Sequence, residues 1–282
     1  MSAQAITNHQ SLLDPREKVR YTLMVLISIV IYAILALVVV TTPELGITVG
    51  LYAVIFAFFA LLLNGFAIGY LRGNGVRVSR TQLPMLNEMV MAHAKKLQMS
   101  EVPAVYVVQA GGTLNAFAMR FLGRDFVVIY SDVLAMAMRQ GEDAVSFIVA
   151  HELGHVWRGH LRHRWLITPA RMVPYLGSAY SRSCEYTCDR VGAFCRPEGA
   201  VSGLMVLAAG ADMYPHVDVP EFTAQTTAEA GFWVRWAELV STHPRLPKRV
   251  GALLAAGVPL PATLGDTSRA VASAAQRAHE RR

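Results

Sequence analysis

Two long apolar runs near the N-terminus constrain this chain more than any other feature. Tyr21 to Val40 carries no charge, and neither does Leu45 through Leu71. Each exceeds the roughly 18–20 residues that a helix needs to cross a hydrocarbon core of about 30 Å. The first run is too long for the apolar core of a signal peptide, and no small-residue cleavage site follows it. The two runs therefore predict an uncleaved helical hairpin. They also explain the composition: the 282 residues are only 16% charged, against about 25% in a typical soluble protein.

The connection Thr41-Thr42-Pro43-Glu44 contains no Lys or Arg, whereas Arg16, Lys18 and Arg20 precede the first run and Arg72, Arg77 and Arg80 follow the second. Positive residues favour the cytoplasmic side, so both chain ends are expected there. The expected location is a prokaryotic inner membrane, crossed twice. Gly46/Gly50 and Gly65/Gly69 are small-xxx-small pairs that would let another helix approach closely, from this chain or from a second copy in a homo-oligomer. Asn64 in the second run fits an interhelical hydrogen bond. The net charge of +6 lies largely beside the membrane and in the tail. That favours contact with an anionic lipid bilayer over nucleic acid as a partner. Cys184, Cys188 and Cys195 are odd in number, which fits reduced thiols in a cytoplasmic domain.

The chemistry is concentrated in His151-Glu152-Leu153-Gly154-His155, at the end of the apolar run Ala144 to Ala150. Residues four apart share a helix face, so both imidazoles can reach one Zn²⁺ at about 2.0–2.1 Å. Glu152 follows the first His, where its carboxylate can take a proton from a water on the metal. Two His ligands require a third protein ligand and leave a fourth position for water. A later His in the H-E-x-x-H-x-x-G-x-x-H spacing is disfavoured, because Arg158 and Leu161 hold the Gly and His places. His160 and His163, beside Arg162 and Arg164, read as a solvated helix end. Glu185 is the better ligand, thirty positions beyond His155, and Asp189 one helical turn on can orient the imidazole of His151. Cys184 and Cys188 flank Glu185 and are the rival ligands; a buried structural thiol is the plainer reading.

Along the rest of the chain, Thr81 to Met99 has the spacing of an amphipathic helix, and Val105–Val108 and Phe126–Tyr130 read as strands. Leu114-Asn115-Ala116-Phe117-Ala118 is a further candidate strand. Helices are expected from Ser131 to Arg139, through the His/Glu motif to about Gly159, over Ser178–Ala193, Val201–Ala211 and Phe232–Leu239, and from Lys248 to Ala256. Arg162 to Pro174 is too polar and Pro-interrupted to cross a membrane, and Pro215 to Glu229 reads as a loop.

Taken with Ser241-Thr242-His243-Pro244 and Glu185-Tyr186-Thr187-Cys188-Asp189, these motifs resemble the HtpX-like zinc metallopeptidases, relatives of the CAAX prenyl proteases among the gluzincins. The resemblance covers about residues 80–255, with four motifs in the family's order. It implies an α+β, mostly helical, zincin-like fold with a small sheet, on the N-terminal two-helix transmembrane hairpin. It implies one Zn²⁺ per chain, a polypeptide substrate and a membrane-anchored endopeptidase, by analogy one of membrane-protein quality control. It further implies that Asn115, with Ala116 and Phe117, marks the edge strand that binds substrate backbone, that His243 faces the scissile carbonyl and that Arg249, six residues later, holds that turn in place. Two differences from the pattern stand out: Cys188 replaces the usual Ala, and only about thirty residues separate the zinc motif from Glu185, where HtpX proper has two more hydrophobic segments. The expected organisation is a leader over 1–20, the hairpin over 21–72, the peptidase domain over 73–258 and a flexible basic tail over 259–282. A zinc hydrolase of other amides or esters, or an inactive membrane scaffold, are the competing readings.

Overall fold

Both apolar runs form helices in the computed structural model, which describes residues 11–109, 111 and 115–260. Helix α1 spans Pro15–Thr41 and opens on a side-chain cap, with Asp14 accepting from the Arg16 N–H and Pro15 at the first position. Helix α2 spans Pro43–Asn74, again with Pro at its start. Both are long and apolar enough to cross a membrane, and both leave large apolar side chains uncovered, such as Val40 of α1 at 76% and Phe56 of α2 at 74% exposure.

The start of α1 belongs to the body of the protein. Leu12 is fully buried, Glu17 is 3% exposed and the Asp14 N–H donates to Thr187 Oγ1 at 2.9 Å. Arg20 donates to the Ala179 carbonyl at 2.7 Å. The leader boundary expected at residue 20 thus falls inside a helix whose first turn packs into the domain. Residues 1–10, Gly112, Leu114 and the tail from 261 onward lie outside the described residues.

Four strands make one sheet: β1 (Val76–Arg77), β2 (Ala104–Val108), β3 (Ala116–Phe121) and β4 (Arg124–Tyr130), in the order β1-β2-β4-β3. β2 and β4 run parallel; the other pairs are antiparallel. The Leu122-Gly123 turn between β3 and β4 has positive φ at both residues, the conformation that a two-residue hairpin demands. Alternation along β2 and β4 divides their side chains between two cores. Val105, Val107, Val127 and Ile129 join the main core, whereas Tyr106, Phe126 and Val128 pack on Ile68 and Leu71 of α2. The sheet is therefore seated on the end of the second long helix, and β3 is left as an edge with one partner.

The remaining helices are α3 (Pro84–Lys96), α4 (Ser131–Gln140), α5 (Asp143–Trp157), the single turn α6 (Thr168–Arg171), α7 (Leu176–Cys195), α8 (Ala200–Met213), α9 (Val219–Ala228), α10 (Phe232–Val240) and α11 (Leu246–Ala255). α5 is the central one, buried continuously from Ala144 to Gly154. Small residues let its neighbours approach. A Cβ on Gly192 of α7 would fall 2.6 Å from the Phe147 ring, and one on Gly203 of α8 would fall 2.5 Å from it. Phe147 is 1% exposed, so its loss would cost about 3–5 kcal/mol. The fold is mostly helical α+β with a small sheet, as expected. One expectation changes: most of the Pro215–Glu229 loop is α9, capped by Asp218 accepting from the Glu221 N–H at 2.8 Å. The Asp-x-Pro-Glu start was a helix signal hidden in a Thr- and Gln-rich stretch.

Candidate active site

Helix periodicity puts His151 and His155 on one face of α5, with ring centroids 5.2 Å apart. α7 lies against that face because Gly154 admits it: a Cβ there would meet Val191 and Cys188 at 3.2–3.3 Å. This contact delivers Glu185. Its Oε2 is 3.5 Å from His151 Nε2, and its Oε1 is 3.4 Å from His155 Nε2. Ligand atoms of the three residues lie within 4.8 Å of one another. Donors held about 2.0–2.2 Å from one tetrahedral ion are roughly 3.3–3.5 Å apart, so the trio has the dimensions of a zinc site.

Its electrostatics agree. Burial alone would lower the His151 pKa, but Asp189 and Glu185 beside it push it up to about 10. Surroundings that favour a proton this strongly also favour a dication. Burial would raise the Glu185 and Asp189 carboxyls; Arg249 overrides it and, with the nearby imidazoles, holds both below the usual carboxylate range. Both are therefore ionised.

The outer nitrogens of the two imidazoles are held differently. His151 Nδ1 is 3.1 Å from Asp189 Oδ1, although the approach is too oblique for a well-directed hydrogen bond. His155 Nδ1 is 3.0 Å from His160 Nδ1. His160 Nε2 in turn lies 3.3 Å from Glu17 Oε1, again obliquely. Burial lowers the His160 pKa despite Glu17, so this imidazole is neutral. One tautomer fits this arrangement: His155 Nδ1–H donates to His160 Nδ1, and His160 Nε2 carries its proton on the side of Glu17.

Arg249 of α11 is 5% exposed and forks onto Asp189, with Nε to Oδ2 at 2.8 Å and Nη2 to Oδ1 at 2.6 Å. Its Nη1 also reaches Glu185 Oε2 at 3.2 Å. The guanidinium therefore ties α11 to α7. His243 Nδ1 is 3.0 Å from Glu185 Oε2 with its side chain 65% exposed. That contact raises the His243 pKa. The turn at His243 is closed by Ser241, whose Oγ donates to the His243 carbonyl at 2.8 Å.

A cavity of about 520 Å³ joins these groups, lined by His151, Glu152, His155, Glu185, His243, Arg249, by Asn115 and by Ala116, Phe117 and Ala118 of β3. Nine of the ten residues expected at the site from sequence line this cavity, and the tenth, Asp189, is bonded to Arg249 beside it. Glu152 is 7% exposed. Cys184 and Cys188 are buried, and burial pushes both thiols up, so they are neutral. Other close groupings, His155/His160/Cys188 and Glu17/His160/Cys184, depend on these thiols and on His160 nitrogens already turned to His155 and Glu17. The His₂Glu set is the better donor set and fits zinc.

Three contributors were missed in the sequence. His160 read as a solvated helix end, and Glu17 as part of a leader. Arg182 donates to the carbonyls of Glu238, Leu239 and Ser241 at 2.7–2.9 Å, fixing the segment that leads to His243. His160 was legible in part, since it sits five residues beyond His155 in an otherwise basic stretch.

The profile described as Peptidase family M48 matches residues 81–171 and 166–256, together well over half of the chain. No curated protein matches the chain. A buried His₂Glu trio on a packed helix pair, two long apolar helices and this match agree: the chain belongs to peptidase family M48, the HtpX- and Ste24-type membrane zinc metallopeptidases.

Proposed function

We propose that this protein is an HtpX-like endopeptidase anchored by α1 and α2, which holds one zinc ion on His151, His155 and Glu185. The observation that carries the reading is that Glu152 and the three donors open into the cavity rimmed by the edge strand β3. Zinc bound there would act as a Lewis acid and acidify a water. Glu152 serves as general base, taking the proton of the attacking water and passing it to the leaving amine nitrogen. An extended peptide would add to the outer edge of β3 along Asn115, Ala116 and Phe117, using backbone groups that have no strand partner on that side among the described residues. This favours a peptide over a small amide or ester, which has no run of backbone groups to offer an edge.

His243, held through Nδ1 by Glu185, keeps Nε2 for the carbonyl oxygen as charge develops on it. Asp189 and the His160–Glu17 pair fix the rings of His151 and His155, and Arg249 keeps the two carboxylates of α7 compatible. The catalytic unit would comprise residues 73–258 together with the first turns of α1. The Lys/Arg asymmetry around the hairpin favours a cytoplasmic placement. Membrane proteins awaiting disposal are the substrate class that this placement suits. Chelator-sensitive cleavage of an unfolded protein such as casein tests the activity; a purified, zinc-loaded chain that leaves casein intact while hydrolysing small esters would replace the peptidase reading.

A further inference from the structure

Helix α10 is rich in large apolar residues yet buries none of them. Phe232 is 69% exposed, Trp233 77%, Trp236 45% and Val240 52%. A concentration of this kind on a water-facing surface marks a place where something else binds. The patch continues beyond α10, because Trp236 meets Tyr175, at the start of α7, with ring centroids 5.9 Å apart. Just upstream, Trp165 is 68% and Met172 83% exposed on either side of α6.

That upstream segment packs on α1, within its charge-free run. Tyr32 Oη donates to the Trp165 carbonyl at 3.1 Å, the Ala170 N–H donates to Ser28 Oγ at 3.2 Å, and Met24 is buried with Ile167 and Ala170. Tyr32 lies eleven residues past Tyr21, where the apolar run begins. At 1.5 Å per residue this is about 16 Å, roughly one leaflet of a 30 Å hydrocarbon core. Trp165 is thus level with a part of α1 that stands in lipid when α1 crosses the bilayer. Arg162, Arg164 and Arg235 are exposed beside these aromatics and form no ion pair among the described residues. Exposed Trp with long basic side chains beside it suits a segment that dips into one leaflet, the rings lodging among the acyl chains while the cations reach back towards the headgroups.

We propose that α10 and the segment 161–176 form a second membrane contact, dipping into the leaflet from which the domain emerges. The proposal rests on the reading of α1 and α2 as membrane-spanning. Both parts of the contact adjoin the catalytic cavity. Leu161 lines the cavity and begins one part, and α10 ends three residues before His243, which also lines it. The contact would hold the cavity mouth against the bilayer surface, where a polypeptide chain leaving the membrane is within reach.

The four tryptophans, Trp157, Trp165, Trp233 and Trp236, provide the test. Full-length variants each retaining one Trp, with the others changed to Phe, are placed in phospholipid vesicles containing acyl-brominated lipids. Trp165 and Trp233 should be quenched several-fold more than Trp157, which is half-buried on α5. A Tyr52→Trp variant lacking the native tryptophans reports on the apolar run of α2. Strong quenching at Tyr52→Trp with Trp165 and Trp233 no more quenched than Trp157 overturns the proposal while leaving the hairpin in place. No quenching at Tyr52→Trp overturns the membrane reading and the proposal with it. Shielding of Trp233 from lipid, with efficient crosslinking between copies of a Trp233→Cys variant, would assign the patch to a second copy instead and also overturn it.

Discussion

His155 and His160 face each other through their Nδ1 atoms at 3.0 Å, and His160 passes the contact on to Glu17 in the first turn of α1. The ring that holds the proposed metal is therefore oriented from the first of the two long apolar helices. Partners of this kind fix the tautomer of a ligand, and their loss costs about 10–100-fold in metal affinity or activity. Glu17→Gln and His160→Ala should each weaken zinc binding by about that much, measured by competition with a chelator of known affinity. Unchanged affinity in both would show the contact to be incidental.

Arg249 sits between two buried carboxylates, 2.6 Å from Asp189 and 3.2 Å from Glu185. Removing it leaves like charges facing each other in the core. Breaking a buried ion pair on one side costs about 3–5 kcal/mol, so Arg249→Ala should lower the melting temperature severely. Zinc should restore part of the loss, because a cation at the His₂Glu site offsets the same charge. Thermal melts with and without zinc decide this; a variant as stable as wild type would place Arg249 outside the electrostatics of the site.

His93 links α3 to the central helix, with Nε2 2.8 Å from Ser146 Oγ. Burial lowers its pKa from 6.5 to about 4. Because the folded value is depressed, the stabilisation is fully present above pH 6.5. It declines as pH falls from there towards about 4, where the unfolded chain takes up a proton that the folded protein refuses. His93→Gln should flatten the stability profile across that window. An unchanged slope between pH 6.5 and 4 would mean that other groups control the acid limit.

The architecture was legible where physics is local. Two uncharged runs longer than a bilayer require helices, and His151, His155, Glu185 and Asp189 declare themselves by helical spacing. The edge position of β3 rested on the family resemblance, because strand order depends on contacts far apart in sequence. His160 and Glu17 escaped for the same reason: 143 positions separate them, and nothing local to either shows that the start of α1 packs on α7. Helix α9 was missed because Thr and Gln gave no apolar stripe, although the cap at Asp218 was present.

His243 contacts Glu185 yet is largely exposed at the cavity, which separates two roles that it could have. As an oxyanion donor, its removal should lower kcat by roughly 10²–10³, with zinc content and melting temperature near wild type. As a turn residue before Pro244, its removal would lower the melting temperature and spare kcat of the folded fraction. Steady-state kinetics and thermal melts on His243→Ala distinguish them.

The central claim is that Glu152 moves the proton at a centre held by His151, His155 and Glu185. The most direct measurement is zinc content and casein turnover of Glu152→Gln beside Glu185→Ala. Glu152→Gln should retain one zinc per chain while turnover collapses, and Glu185→Ala should lose both. A Glu152→Gln protein that still cleaves casein at the wild-type rate, or a Glu185→Ala protein that keeps its zinc, would contradict the account.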